Sequence, residues 1–274
     1  MQISVIMTTY NRPHALSRVL AGLAGQTQLP DEVIIADDGS GPDTAEVIAT
    51  FQKTSPFLLK HVWHRDRGFR AAAIRNKAIR ESKGAYLVSL DGDCIPDKYF
   101  IADHRRLARR GTFFQGKRIL VGKDLSKTLS FQDFDTNLKR FKLFFSPAIG
   151  NRHHLVRAPF LPPILSTRLS GIRSCNMGFY RDDIYAVNGF NEDFSGWGRE
   201  DSELAVRFFN YGLKRTTHAF LAVCYHLWHK ENDRSGLARN DALLQRIVDQ
   251  GIVFCANGLE KNGSAAILSD KQIY

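Results

Sequence analysis

Apolar runs of strand length alternate with helix-like patterns over the first hundred residues. Three such runs have the length expected of buried strands, residues 3–7, 32–36 and 85–90, and residues 58–63 predict a weaker strand between the last two. Between these runs, apolar residues recur every three or four positions and predict helices over residues 13–24, 45–51 and 71–82. Strands and helices that alternate in this way form a mainly parallel sheet with helices on both faces. The pattern therefore predicts an α/β fold.

The rest of the chain has a less regular pattern. Helices are expected at 97–110, from residue 200 onward, and at 237–248. Strands are expected at 113–122, 173–180 and 220–225, and residues 123–170 are expected to be largely irregular. Within that segment, residues 137–145 mix lysines with phenylalanines, which is typical of a helix on an anionic bilayer surface. The alternative, which we favour from the sequence, is an ordinary helix that packs its phenylalanines inward.

Polar side chains follow the first, second and fourth predicted strands. Tyr10, Asp38, Asp91 and Asp93 come after these strands, and the carboxyl ends of parallel strands meet at one edge of the sheet, where ligands bind. Asp91 and Asp93 flank Gly92, and two such carboxylates can bind a divalent cation that keeps positions open for phosphate oxygens. The alternative is a polar turn that merely closes a strand.

Neither common glycine-rich nucleotide signature is present in the chain. No GxGxxG follows the first strand, and there is no GxxxxGK[ST] sequence. Any nucleotide must therefore be held by side chains and a metal. A nucleotidyltransferase would need a glycine-rich loop with a lysine after the first strand, and residues 8–13 lack that composition.

Composition places the chain among globular proteins and points to an anionic partner. It has 274 residues, of which 43% are hydrophobic and 24% charged, and its net charge is +10. Such a charge favours binding to nucleic acid, to a phosphorylated substrate or to an anionic membrane surface. No nucleic-acid-binding motif occurs, and Asp91 and Asp93 would repel phosphate without a metal. We expect no nucleic-acid partner, with a basic nucleic-acid-binding protein as the alternative that charge alone permits.

Cysteines and termini indicate a cytoplasmic protein. The four cysteines form no CxxC pair, which fits inert, reduced thiols better than a disulfide framework. We expect no signal peptide, because no basic region precedes residues 3–7. No stretch reaches the ~18 apolar residues of a membrane span.

A pair of carboxylates opens the predicted helix at residue 200. Glu200 and Asp201 follow a segment in which Gly196 and Gly198 flank Trp197. Acidic residues in a first helical turn are favoured by the helix dipole, so capping alone could explain the pair. The other interpretation is catalytic, because a positioned carboxylate can serve as a general base.

Several motifs together resemble family 2 glycosyltransferases of the GT-A fold, which is Rossmann-like. They are residues 5–12, the turn at 37–40, the Arg75-Asn76 pair and Asp91-Gly92-Asp93. Residues 188–192 and 196–201 look like the carboxy-terminal region of β-1,4-galactosyltransferases and bacterial chondroitin polymerases. The resemblance spans residues 3–232, except 123–170. It implies one domain at 1–232, with a nucleotide-sugar half at 1–110 and an acceptor half at 111–232, followed by a helical extension at 233–274.

The resemblance also implies roles for residues at the donor site. Thr8, Tyr10 and Asp38 would hold the uracil and ribose of a UDP-sugar, and Asp91 would contact the ribose or the sugar. Four further residues match positions at this site: Arg12, Arg75, Asn76 and Trp197.

The metal ligands and the catalytic carboxylates are implied in the same way. Asp93 would coordinate Mn²⁺ or Mg²⁺, and a histidine after the last core strand would complete the site. We choose His226 over His229, because Asn232 lies at the matching spacing from His226. A histidine ligand favours Mn²⁺. Asp201 would be the base and Glu200 would orient a sugar.

These assignments imply an enzyme that inverts the donor linkage. With one general base and no nucleophile, the enzyme would transfer a hexose or N-acetylhexosamine from UDP to an acceptor hydroxyl and form a β-linkage. The expected acceptor is a saccharide or lipid-linked saccharide, such as a precursor of lipopolysaccharide, capsule or exopolysaccharide. A lipid-linked acceptor would keep the enzyme at the inner face of the cytoplasmic membrane.

Overall fold

An eight-stranded sheet and a smaller four-stranded sheet form the framework of the protein in a computed structural model, which describes residues 1–231 and 233–261. The strands are β1 (Ile3–Thr9), β2 (Glu32–Asp37), β3 (Leu58–Trp63), β4 (Tyr86–Asp91), β5 (Cys94–Pro96), β6 (Thr112–Gln115), β7 (Lys117–Val121), β8 (Ile149–Gly150), β9 (Ile164–Ser166), β10 (Asn176–Tyr180), β11 (Lys214–Thr217) and β12 (Val223–His226). The helices are α1 (Pro13–Ala24), α2 (Pro42–Thr54), α3 (Ala71–Glu81), α4 (Phe100–Leu107), α5 (Asn137–Phe144), α6 (Arg181–Ala186), α7 (Glu200–Asn210) and α8 (Leu237–Gln250).

The large sheet is parallel in its first half and mixed in its second. Its strand order is β3-β2-β1-β4-β10-β6-β11-β9. Strands β3, β2, β1 and β4 are parallel, while β10 runs antiparallel to both β4 and β6. The small sheet has the order β5-β12-β7-β8. The predicted α/β fold is therefore confirmed, and the sheet is parallel through β3, β2, β1 and β4.

Alternating side chains of the central strands enter two apolar cores, one on each face of the large sheet. Val5 and Met7 of β1 belong to the core that contains Leu16 of α1, whereas Ile6 belongs to the core that contains Ile74 of α3. All five side chains are essentially inaccessible to solvent. Strands buried on both faces explain why these segments are almost continuously apolar.

The predicted strand over residues 113–122 is wrong, because it is two strands in different sheets. Gly116 separates β6 from β7, and its N–H donates to the Asn176 carbonyl at 2.9 Å. A β-carbon at Gly116 would lie 2.3 Å from the Asn176 side chain, so only glycine allows this close approach. The chain thereby passes from the large sheet to the small one.

The segment at 123–170 has more structure than its sequence predicted. It contains α5, β8 and β9 as well as short 3₁₀ turns. The strand β11 was also missed, and α4 is shorter than the predicted helix at 97–110. Asn232 and residues 262–274, the end of the predicted extension, lie outside the described residues. No helix in the described part of the chain is both long and apolar enough to cross a membrane.

Candidate active site

Arg75 on α3 connects the ends of two strands with the start of a distant helix. Its Nε donates to Thr8 Oγ1 at 3.0 Å, at the end of β1. Its two terminal nitrogens donate to Asp91 Oδ1 at 3.3 Å and to Glu200 Oε1 at 3.2 Å. Arg75 is only 4% exposed. One buried guanidinium therefore fixes the end of β4 against the first turn of α7.

The charges around Arg75 are set by burial and by mutual attraction. Burial raises the pKa of Asp91 to about 6, while Arg75 acts in the opposite direction. Burial alone would lower the pKa of Arg75, but Asp91 and Glu200 outweigh it and raise that pKa. The arginine thus stays charged and compensates two carboxylates, of which Glu200 is buried.

Asp93, His226 and His229 form a cluster whose composition fits a divalent metal. One ligand atom from each lies within 4.8 Å of the other two, and no other such group of three occurs in residues 1–231 and 233–261. The Nε2 atoms of His226 and His229 lie 3.9 Å and 3.5 Å from the nearest Asp93 oxygens. His226 reaches this position because β12 pairs antiparallel with β5, which sets it opposite Cys94. Two imidazoles and one carboxylate are donors suited to a transition ion.

The structure brings both candidate histidines to Asp93. The sequence choice of His226 alone rested on Asn232, which lies outside the described residues. His229 follows three residues after His226, and its Nδ1 lies 2.7 Å from the Lys230 carbonyl. A hydrogen bond at that nitrogen would leave Nε2 free to face the cluster. The sequence presents the two histidines as alternatives, and nothing in it indicates that both lie beside Asp93.

Arg12 lies directly against the carboxylate of this cluster. Its Nη1 is 2.6 Å from Asp93 Oδ2, and its side chain is one third exposed. Arg12 immediately precedes α1 and follows Asn11, whose φ is +47°. The arginine therefore supplies positive charge at the position expected for phosphate oxygens.

Asp201 lies in the first turn of α7 beside Glu200. Its Oδ1 accepts from the Ser202 N–H at 2.7 Å, and its Oδ2 accepts from the Ser174 N–H at 3.3 Å. Burial raises the pKa of Asp201 to about 7, and the charge of Glu200 adds to that shift. A carboxylate with such a pKa is well matched to general base catalysis near neutral pH.

Asp38 and Tyr10 lie at the same sheet edge as Thr8. Asp38 is buried, with Oδ1 2.5 Å from His64 Nε2 and Oδ2 accepting from the Arg70 N–H at 2.8 Å. Tyr10 is 46% exposed, and its hydroxyl donates to Asp66 at 2.8 Å. The tyrosine ring is therefore accessible to a ligand, while the buried aspartate is fixed by two hydrogen bonds. His64 was not identified from the sequence.

Asn76 and Trp197 occupy contrasting positions. Asn76 has no exposed surface; its amide donates to the Phe190 carbonyl and accepts from the Phe190 N–H, both at 2.8 Å. Asn76 therefore supports the loop before α7, and it has no exposed surface with which to contact a sugar donor. Trp197 is 36% exposed in that loop, and the Arg234 guanidinium lies over its ring, 5.0 Å from the centroid.

Two family sequence models match the chain in succession. The one described as "Glycosyl transferase family 2" matches residues 4–157, and the one described as "N-terminal domain of galactosyltransferase" matches residues 161–230. The first match alone covers more than half of the chain. The predicted family is thereby confirmed.

Curated relatives are glycan-forming and sugar-transferring enzymes. The chain is 25% identical to a chondroitin synthase of Escherichia coli over 97% of this chain and 40% of that protein. It is 29% identical to a hyaluronan synthase of Pasteurella multocida over 84% of this chain and 25% of that protein. It is also 29% identical to a validoxylamine A glucosyltransferase of Streptomyces hygroscopicus subsp. limoneus, over 78% of this chain and 49% of that protein. The chain thus spans less than half the length of these relatives.

Solved structures with the same fold include S. aureus TarS 1-349, with a TM-score of 0.63 and 14% identity over 92% of this chain and 65% of that one. Another is the mannosyltransferase PcManGT from Pyrobaculum calidifontis, in complex with GDP-Man and Mn²⁺. Its TM-score is 0.58 and its identity 19%, over 89% and 64% of the two chains. At these identities the likeness establishes the fold, which is GT-A. The chain belongs to glycosyl transferase family 2.

Proposed function

We propose that the protein is a metal-dependent, inverting transferase that uses a UDP-sugar. It would transfer a hexose or N-acetylhexosamine to a hydroxyl of a saccharide or lipid-linked saccharide and form a β-linkage. The observation that carries the proposal is the contact of Arg75 with both Asp91 and Glu200. Asp91 is assigned to the sugar donor, and Glu200 lies next to the proposed base. Their contact through Arg75 therefore supports a single site that contains both groups of residues. The chondroitin and hyaluronan synthases among its relatives support a saccharide acceptor.

Asp93, His226 and His229 would hold the metal. Their donor set favours Mn²⁺ over Mg²⁺, because imidazole nitrogen suits transition ions better than hard cations. When bound, such an ion acts as a Lewis acid toward the negative charge that develops on the leaving diphosphate. The Mn²⁺ in the PcManGT complex supports a metal in this fold.

Asp201 is the proposed general base. The acceptor oxygen forms a bond to the anomeric carbon, the bond from that carbon to the UDP oxygen breaks, and the hydroxyl proton passes to the Asp201 carboxylate. Backbone N–H groups of Ser174 and Ser202 hold that carboxylate in place. Glu200, fixed by Arg75, would orient a sugar hydroxyl. A single displacement inverts the anomeric centre, so an α-linked donor gives a β-linked product.

The donor nucleoside would lie at the carboxyl ends of β1 and β2. Tyr10 would offer its exposed ring to the uracil, and Asp38 lies at the same edge of the sheet. Thr8 lies beside Arg75, close to the expected ribose position. Arg12, next to Asp93, would contact the diphosphate.

Release of UDP from a panel of UDP-sugars tests the proposal. The purified protein is incubated with Mn²⁺, with and without a chelator, and hydrolysis to water is followed in the absence of an acceptor. Chelator-sensitive release from one or two donors would identify the sugar. No release from any donor, together with no thermal stabilisation by UDP, would refute the proposal.

Removal of either histidine should raise the Mn²⁺ concentration needed for half-maximal UDP release. Each imidazole provides one of three direct ligands, so His226→Ala and His229→Ala should each lower metal affinity by more than the roughly 10- to 100-fold typical of groups that only support a ligand. Titration of Mn²⁺ at saturating donor measures the shift. His14→Ala, at a histidine outside the cluster, is the control. A shift for only one of the two variants would leave the other histidine outside the metal site.

An exposed aromatic face of α5 favours contact with an anionic membrane surface. Leu138, Phe141 and Phe145 are 65%, 62% and 64% exposed, with exposed Lys139 and Lys142 on the same helix. The expectation that this helix packs its phenylalanines inward is therefore wrong for Phe141 and Phe145. Apolar side chains beside lysines suit the interface of an anionic bilayer. This contact would hold the enzyme near a lipid-linked acceptor.

Flotation with vesicles that contain phosphatidylglycerol checks the membrane contact. The variant Phe141→Ser/Phe145→Ser should bind these vesicles at least roughly tenfold more weakly, because two large apolar side chains no longer enter the bilayer. Phe254→Ser, at a phenylalanine that is 45% exposed elsewhere, should bind as the unaltered protein does. Equal flotation of the α5 variant would exclude this face.

A further inference from the structure

A cavity of about 220 Å³ lies beside β7 and the segment that leads into β10, and its lining residues adjoin neighbours of both the metal cluster and the proposed base. Leu120, which lines it, pairs in register with His226. Cys175, which also lines it, directly follows Ser174, whose N–H contacts Asp201. The cavity is smaller than the roughly 300–1,000 Å³ typical of sites for drug-sized ligands, so it suits a single sugar unit or charged group.

The cavity is lined by three cations and by no carboxylate. Lys117, Arg118 and Arg173 line it, and its other lining residues include neither aspartate nor glutamate. Across the described ranges, none of the three charged groups forms an ion pair or hydrogen bond with another protein group. Buried arginines elsewhere in the protein, such as Arg75, Arg140 and Arg207, do have such partners. The three unpaired cations therefore share one cavity whose lining offers them no acidic partner.

The positive charges repel one another. Burial lowers the pKa of Lys117, and the nearby Arg215 and Arg173 lower it further. Arg215 is itself buried and donates to the Ser170 carbonyl at 2.7 Å. A bound anion would relieve this repulsion.

The backbone that carries the cations is held rigidly. Gln115 accepts from the Arg173 N–H and donates to the Arg173 carbonyl, both at 3.0 Å. Asn151 donates to the Arg118 carbonyl at 3.2 Å. The cations are therefore placed by a fixed frame while their charged ends remain available, which is the arrangement of a preorganised anion site.

We propose that this cavity binds the negatively charged group of an anionic acceptor saccharide, a carboxylate or a phosphate, and thereby orients the acceptor hydroxyl toward Asp201. Guanidinium groups bind both kinds of oxyanion through paired N–H donors. The inference rests on the proposed transferase function and adds the charge class of the acceptor to it. The diphosphate of the donor is assigned to the separate position at Arg12 and Asp93.

Equilibrium binding of three probes tests this assignment without relying on turnover. The probes are a disaccharide that ends in glucuronate, glucose 6-phosphate, and the neutral disaccharide cellobiose. At least one anionic probe should bind at least tenfold more tightly than cellobiose, and the preference should weaken with salt. Stronger binding of the glucuronate probe would identify a carboxylate acceptor, and stronger binding of the phosphate probe a phosphorylated one.

The double variant Lys117→Gln/Arg173→Gln should lose that preference by roughly 10- to 100-fold, because two charged donors are removed. Lys53→Gln, at an exposed lysine on α2, should keep it. Equal binding of charged and neutral probes would overturn the inference, as would a double variant that keeps the preference. A double variant that instead loses affinity for UDP with Mn²⁺ would assign the cavity to the donor.

Hydrolysis of UDP-sugars without an acceptor distinguishes failure of the transferase proposal from failure of the acceptor assignment. Release without any preference for an anionic probe would overturn the acceptor assignment and leave the transferase proposal standing. A clear anion preference without release from any UDP-sugar would overturn the transferase proposal, and the acceptor role with it.

Discussion

Asp201→Asn should lower kcat by roughly 10²- to 10⁴-fold while the affinity for UDP and Mn²⁺ stays the same. The substituted amide has the same shape, and its oxygen can still accept from the Ser174 or Ser202 N–H. It cannot take the proton of the acceptor hydroxyl. An interaction that matters only in the transition state lowers kcat and kcat/KM together. Steady-state transfer kinetics and UDP titration measure the two quantities separately.

The pH profile provides an independent readout of the same residue. The base acts in its ionised form, and the pKa of Asp201 is raised to about 7 by burial and by Glu200. Activity of the unaltered enzyme should therefore increase as pH rises through about 7 and fall below it, because protonation removes the base. Asp201→Asn should lose this limb of the profile. Asp249→Asn, at an exposed aspartate on α8, should keep both kcat and the limb. Normal turnover by Asp201→Asn would exclude the residue as the base.

The first half of the fold, up to β4, was predictable because its determinants are local. The strands β1, β2 and β4 are apolar on both faces, and β1, β2 and β3 are each followed by a helix whose apolar residues recur at helical spacing. The second half depends on contacts between distant residues. Gly116 divides an apolar run into two strands only because Asn176, sixty positions later, lies against it.

The candidate site was predictable to a similar extent. Parallel strands carry their carboxyl ends to one edge, so the convergence of Tyr10, Asp38 and Asp91 follows from the strand pattern alone. The contact between Arg75 and Glu200 joins residues 125 positions apart, and no local pattern indicates it. The joint position of His226 and His229 depends likewise on the pairing of β12 with β5, which periodicity does not reveal. Buried charges such as Arg75 are where local rules are weakest, because their partners are chosen by the tertiary fold.

Asp93→Ala should abolish UDP binding that depends on Mn²⁺, with a loss in metal affinity of more than about 100-fold. Asp93 is the only carboxylate among the three clustered residues, and two neutral imidazoles alone leave the ion without an anionic ligand. Removal of a direct ligand should exceed the 10- to 100-fold effects typical of groups that only support a ligand. Calorimetric titration of UDP at a series of Mn²⁺ concentrations measures the loss.

The fold should survive this substitution, so the loss can be assigned to the metal. Arg12, the nearest partner of Asp93, has a side chain that is one third exposed and can be hydrated when the carboxylate is removed. Thermal unfolding without metal should therefore change little. Asp124→Ala, at an exposed aspartate paired with Lys127, should retain full Mn²⁺-dependent binding. If Asp93→Ala binds UDP with an unchanged dependence on Mn²⁺, the ion does not lie among these three residues, and Arg12 would then be the main charge that faces the diphosphate.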